Sequence, residues 1–201
     1  MPHPEDSATE RPRPAPPALV EELLAARTVL VFGEVTSKLA QDVTAALLAL
    51  DARNQQPIRV IVHSPGGHVE AGDTIRDVLR FVTAPVRMLG TGWVASAGAL
   101  IYTAAPREQR FALPNTRFLL HQPLGGVGGP ASDVEIEARQ ILLMRTRLNR
   151  IFAEATGQSL EAIERDTERN HWMNAEEAKA YGLVGHIVHD ASQLTGNAQA
   201  T

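Results

Sequence analysis

From Thr28 onward, apolar residues fall into short solid runs separated by stretches where they recur every three or four positions. Thr28–Phe32 (TVLVF) has the run of a buried strand, and the next stretch carries Leu39, Val43, Leu47 and Leu50 at helical spacing, with Ser37 placed to cap it. Ile58–Val62 (IRVIV) predicts a second strand, running into a loop from His63 to His68 (HSPGGH). A helix bearing Ile75, Val78, Leu79 and Val82 follows, then a third strand over Val86–Leu89. The small-residue stretch Gly92–Ala105 opens another helix. Solid apolar strands alternating with helices predict a parallel sheet covered by helices, an α/β fold.

Two further strands are expected at Arg110–Leu113 and Arg117–Leu120, followed by a loop over Pro123–Pro130 (PLGGVGGP). From Ala131 to about Ala155 the pattern is helical, and Val134, Ile136, Ile141, Leu142, Met144, Leu148 and Phe152 cover more than one stripe. At 1.5 Å per residue such a helix spans about 37 Å, more than a domain of this size needs over its own core. Its surplus apolar surface predicts burial against other copies of the chain. Asn174, with Glu177 three residues on, has the form of a capping box, and Gly182 ends that helix. Ile187–Val188 is the last expected strand. There is no internal repeat.

The amino terminus changes the boundaries. Six of the 13 prolines lie at positions 2, 4, 12, 14, 16 and 17, a density that predicts a flexible arm over residues 1–17. The folded domain is expected at 18–190, with a flexible tail at 191–201. The arm lacks the charged-then-apolar pattern of a secretory signal, and no apolar run approaches the length of a membrane span. A cytoplasmic home follows as an expectation.

Composition narrows the chemistry. With 201 residues, 44% hydrophobic and 21% charged, the chain suits one globular domain rather than a disordered one. A net charge of −4 argues against a nucleic-acid partner. The absence of cysteine removes disulfides, thiolate catalysis and cysteine metal sites. Three places then combine backbone freedom with reactive groups. Ser96, among the small residues of Gly92–Gly98, can cap a helix or act as a nucleophile at a helix amino terminus. His121, at the end of an apolar strand and before a glycine loop, can be a core-edge residue or a general base. The paired glycines at Gly66 and Gly67 can form a tight turn or expose N–H groups to a developing oxyanion. His186 and His189 lack a nearby third ligand, so surface positions suit them better than a metal site.

Taken together, six blocks carry a resemblance: His63–Gly67, Gly92–Gly98, Leu113–Asn115, His121–Gly126, Glu164–Arg169 and Ala175–Leu183. Over about residues 20–189 the chain resembles the proteolytic subunit of the Clp protease, ClpP, including the interval from serine to histidine. The resemblance implies a ClpP/crotonase-like β-α superhelix, two stacked heptameric rings, and a handle helix at 131–155 through which the rings interlock. It implies Ser96 as nucleophile, His121 as general base, and Gly67 and Ala97 as oxyanion-hole donors. Pro123, Leu124, Gly125 and Gly126 would form the loop edge that pairs with an extended peptide. Glu168 and Arg169 fall where the family places ring contacts. No metal or cofactor is implied; peptides are the substrates, and a Clp ATPase is the implied partner.

Two departures qualify this. Asn170 stands at the triad-acid position, where the family usually has aspartate; its amide oxygen can aim the imidazole but brings no charge. Asp166 and Glu168 are carboxylates nearby in sequence. The proline-rich arm also lacks the family's apolar and basic segment for meeting the ATPase ring. These features predict a serine endopeptidase that is weak alone or conditionally active, in homomeric rings or in a mixed barrel with a second subunit. Two alternatives are a non-catalytic structural subunit of such a barrel and a crotonase-type acyl-CoA enzyme.

Overall fold

A computed structural model describes residues 16–123 and 128–194. Its sheet runs β1 (Thr28–Phe32), β2 (Ile58–Ser64), β3 (Val86–Ala95), β4 (Arg110–Ala112), β7 (His186–Ile187), all parallel. The strand β3 serves two neighbours. Met88–Gly90 pair with β4, whereas Trp93–Ala95 pair with β5 (Arg117–Leu120). β5 in turn pairs antiparallel with β6 (His171–Asn174). The sheet therefore forks halfway along β3, and Gly92 sits at the fork with φ +58. Any Cβ there would run into the His63 ring.

One face of the sheet carries the main core. Helices α2 (Ser37–Arg53), α3 (Val69–Phe81) and α4 (Ala97–Tyr102) pack there, burying Val31, Leu47, Ile58, Val60, Val62 and Ile75 among others. The opposite face is only partly covered: alternate residues of β2, Arg59, Ile61 and His63, stay half-exposed. Solid apolar strands predict two helix-covered faces; here the second face carries a small cluster of Leu89, Phe111, Val188 and Leu194 instead. Leu194 belongs to the short turn Ala191–Leu194, so the packed chain runs four residues past the expected boundary at 190. At the other end, helix α1 (Pro17–Ala25) begins with proline at its first position, where no N–H is needed, and has no buried residue.

Other boundaries shift for local reasons. Thr36, not Ser37, caps α2, its side chain accepting from Leu39 N–H at 3.2 Å. The segment 92–95 expected to open a helix is strand, because Trp93–Ala95 find a partner in β5. The last strand is His186–Ile187 rather than Ile187–Val188. The long helix α5 (Ala131–Thr156) is present, and its buried residues, Leu148, Asn149, Phe152 and Thr156, all lie in its carboxyl-terminal part. Toward its start Ile136, Leu142 and Leu143 are more than half exposed. Helix α6 (Leu160–Thr167) and β6 lead into α7 (Ala175–Tyr181). The capping box there is complete: Asn174 Oδ1 accepts from Glu177 N–H at 2.9 Å, and Glu177 Oε2 accepts from Asn174 N–H at 2.8 Å.

Candidate active site

β3 ends at Ala95 and α4 begins at Ala97, leaving Ser96 alone to make the turn. It does so at φ +54, ψ −119, a conformation glycine favours over any L side chain. Such a residue is held by its surroundings. Ser96 N–H donates to the Leu119 carbonyl at 2.9 Å, and the Ser96 carbonyl accepts from Leu100 N–H at 3.0 Å. Small neighbours make the turn possible: a Cβ on Gly66 would lie 2.6 Å from the Ser96 Cβ. The serine side chain makes no cap hydrogen bond. Instead its Oγ lies 2.8 Å from His121 Nε2.

His121 follows β5 directly, and β6 fixes the position of that strand end, with Leu120 opposite His171. The next residue is tied down twice: Gln122 N–H donates to the Thr167 carbonyl at 2.8 Å, and its amide NH₂ to the Glu168 carbonyl at 2.9 Å. These bonds bring the end of α6 and the residue before β6 beside the imidazole. His121 Nδ1 lies 3.1 Å from Asn170 Oδ1. Serine hydroxyl, imidazole and amide oxygen thus form one hydrogen-bonded line.

The nearby carboxylates point elsewhere. Asp166 accepts from the Tyr181 hydroxyl at 2.9 Å and pairs with Arg165 at 3.1 Å. Burial, reinforced by the Asp166 carboxylate, pushes the Tyr181 hydroxyl well above its usual pKa. Glu168 pairs with Arg145 on α5 at 2.6 Å. The Arg169 side chain makes no ion pair among the described residues and borders an open hollow with Leu119, His121, Gln122, Glu168 and Asn170.

Gly67 and Ala97 flank Ser96 from two sides. Gly67 forms a parallel bridge with Val35, in which Val35 N–H donates to the Gly66 carbonyl and His68 N–H to the Val35 carbonyl. That pattern leaves the Gly67 N–H outside the ladder. Ala97 opens α4, so its N–H has no intrahelical acceptor. A small apolar pocket abuts Ser96 and His121, walled by Val69, Leu100, Pro123, Leu148 and Phe152. Of the loop expected to hold a peptide, Pro123 borders this pocket, and Leu124, Gly125 and Gly126 lie outside the described residues. Trp93 stacks on Trp172 at 6.2 Å, with the Arg117 guanidinium 4.5 Å over the Trp172 ring. His186 stacks on Phe111 at 5.2 Å.

The supporting residues are what sequence reasoning missed. Gln122 stands beside His121 and could have been suspected. Thr167, buried and donating to the Ile163 carbonyl at 2.7 Å and to Asn149 Oδ1 at 3.2 Å, left no sequence signal. Of the wall residues, Leu148 and Phe152 read as part of the long helix's surplus apolar surface, and Val69 was not singled out.

A serine hydroxyl on a strained strand–helix turn, hydrogen-bonded to an oriented imidazole, is the arrangement found in serine hydrolases. The comparisons with known proteins narrow that class. Residues 16–191 match the Clp protease family. The chain is 62% identical over 170 residues to the ATP-dependent Clp protease proteolytic subunit 2 of Gluconobacter oxydans, covering 84% of this chain and 76% of that protein. Against the proteolytic subunit 2 of Pseudomonas aeruginosa it is 56% identical, covering 88% of each. Among solved structures, ClpP1 from Listeria monocytogenes superposes with a TM-score of 0.79 at 50% identity, covering 88% of this chain and 99% of that one. An asparagine-to-aspartate mutant of the same protein gives 0.82 at 49% identity, with the same coverage. The chain belongs to the Clp protease family, and it is a Clp-type serine peptidase subunit.

Proposed function

We propose that Ser96, His121 and Asn170 are the catalytic triad, and that this subunit cleaves peptide bonds by acyl transfer. The observation that carries the proposal is the line from Ser96 Oγ to His121 Nε2 at 2.8 Å and from His121 Nδ1 to Asn170 Oδ1 at 3.1 Å. Asn170 Oδ1 accepts a hydrogen bond from His121 Nδ1–H, which leaves Nε2 unprotonated and free to accept from the serine hydroxyl. Ser96 Oγ attacks the peptide carbonyl as His121 takes its proton. The N–H groups of Gly67 and Ala97 receive the oxyanion, with no side chain on Gly67 to block the approach. His121 then gives the proton to the leaving amine, and water, activated by the same imidazole, releases the acyl group. The apolar pocket beside Ser96 suits an apolar side chain on the amino-terminal side of the scissile bond.

Asn170 orients the imidazole but offers the imidazolium no negative charge. The subunit is therefore slow alone, or active only when a partner tightens the site. Its setting is a barrel of stacked rings, homomeric or mixed, fed with peptides by a Clp ATPase; the named relatives are ATP-dependent proteolytic subunits. Among the described residues no helix is long and apolar enough to cross a membrane, which is compatible with a cytoplasmic particle. Pro123–Gly126 pair with the substrate backbone, and Glu168 with Arg169 faces the second ring. A scaffold role without chemistry would leave the strained Ser96 turn unexplained.

The test is cleavage of a short fluorogenic peptide by purified, size-checked oligomer beside its Ser96→Ala variant. Cleavage that disappears with the hydroxyl supports the triad. Cleavage that survives in the variant, or none by intact oligomer even with a partner subunit and ATPase added, removes it.

A further inference from the structure

Away from Ser96, the turn after α4 faces the end of α3 and the last turns of α5. Between them opens a pocket of about 350 Å³ that shares no lining residue with the apolar pocket at Ser96. Its wall carries four guanidinium groups, Arg76, Arg80, Arg107 and Arg110, against one carboxylate, Glu154. Arg110 is the unusual member. It is 2% exposed, and its one side-chain hydrogen bond among the described residues runs from Nη2 to the Ala155 carbonyl at 2.5 Å. Its Nε and Nη1 are buried with no hydrogen-bond partner among the described residues. Both atoms are closed to solvent, so an ion in the hollow would offset the charge of this buried cation from beside it rather than accept from these donors.

The neighbours offset the charge only in part: the Glu108 carboxylate acts on Arg110, and Asp77, Asp73 and Glu154 act on Arg76. Arg76 has a side chain only 11% exposed, donates to Thr103 Oγ1 at 3.4 Å, and lies 3.9 Å from an Asp77 carboxylate that is itself 78% exposed. Burial, and next the Arg80 charge, depress its pKa. Arg107 donates to the Lys179 carbonyl at 3.1 Å, and that contact adds no charge. Positive charge thus accumulates around a hollow large enough for an ion of several oxygens. Guanidinium forks match tetrahedral oxyanions in shape and donor spacing, and a doubly charged ion offsets a surplus of this size.

We propose that this pocket binds a phosphate-class oxyanion, held by Arg76, Arg80 and Arg107 above the Arg110 guanidinium. The site is independent of the catalytic reading, because a Ser96→Ala particle retains it.

The test uses purified Ser96→Ala oligomer and inorganic phosphate, with sodium chloride at the same ionic strength as control. Phosphate should raise the thermal midpoint where chloride does not, by the mass-action stabilisation of a bound ligand. It should also broaden the ³¹P resonance of free phosphate on addition of protein. Arg80→Ala and Arg107→Ala, both at exposed positions, should each raise the half-saturating phosphate concentration roughly tenfold, the loss of one charge-assisted contact. The two variants are measured separately, so one that assembles is enough. Equal effects of phosphate and chloride, or a phosphate effect untouched by a variant that assembles, overturn the assignment.

Discussion

At the scale of single residues, the site depends on what is missing from side chains as much as on what they carry. Gly66 has φ +102 and room for no Cβ, since one would lie 2.6 Å from the Ser96 Cβ. Gly66→Ala should therefore displace the proposed nucleophile and lower peptide cleavage by up to about 100-fold, the loss a misplacement near 1 Å can bring, while circular dichroism stays close to the parent's. Asn170→Asp should act in the opposite direction. The carboxylate would stabilise the imidazolium, and kcat in the assembled particle should rise at least about tenfold; aspartate and asparagine differ by about 10⁴ in the best-studied serine protease. Unchanged cleavage would mean that charge at this position is irrelevant here. Ser96 and His121 were both legible in the sequence as candidates, but each with a structural alternative. Only the structure replaced the helix-cap role of Ser96 by a hydrogen bond to the imidazole. The sequence also left Asp166 and Glu168 open as carboxylates for His121, and their partners Tyr181, Arg165 and Arg145 close that possibility.

At the scale of elements, long periodic segments were readable and short ones were not. α5 and the start and stop of α7 follow from apolar spacing, an Asn–Glu capping pair and a terminal glycine, all local signals. α6 and β6 escaped because eight and four residues are too few for a period to declare itself, and β6 exists only through pairing with a distant strand. The extension of β3 through two glycines is likewise tertiary, since β5 supplies the partner for Trp93–Ala95. The capping box gives a direct check. Asn174→Ala removes the acceptor for Glu177 N–H and should cost about 1 kcal/mol, a fall of about 2–4 °C in the melting temperature of a domain this size. Asn174→Asp should restore most of it.

For the whole molecule, α5 is the element that points outward. Its Ile136 and Leu143, on one side of the helix, and Leu142, on an adjoining side, are exposed and unburied by the described residues. If the particle is the proposed pair of stacked rings, Leu143→Glu should leave the subunit folded but halve the particle mass in light scattering, separating the pair into single rings. A particle of unchanged mass would place the ring contact elsewhere. The same helix reaches inward through Arg145 to Glu168 and through Asn149 to Thr167, the residues whose carbonyls hold Gln122 beside His121.

The fork in β3 has one more consequence. Ser96 rides on the trunk of the sheet, whereas His121 and Asn170 belong to the β5–β6 branch, which pairs with the trunk along the short Trp93–Ala95 ladder and packs into its core through Phe118, Leu120 and Met173. On the proposed triad, catalysis depends on the register of this seam, which a slight loosening disturbs before the shared core gives way. On heating, peptide cleavage should fade several degrees before the helical signal does, as the branch loosens from a trunk still intact. The enzyme would fall silent well before it came apart.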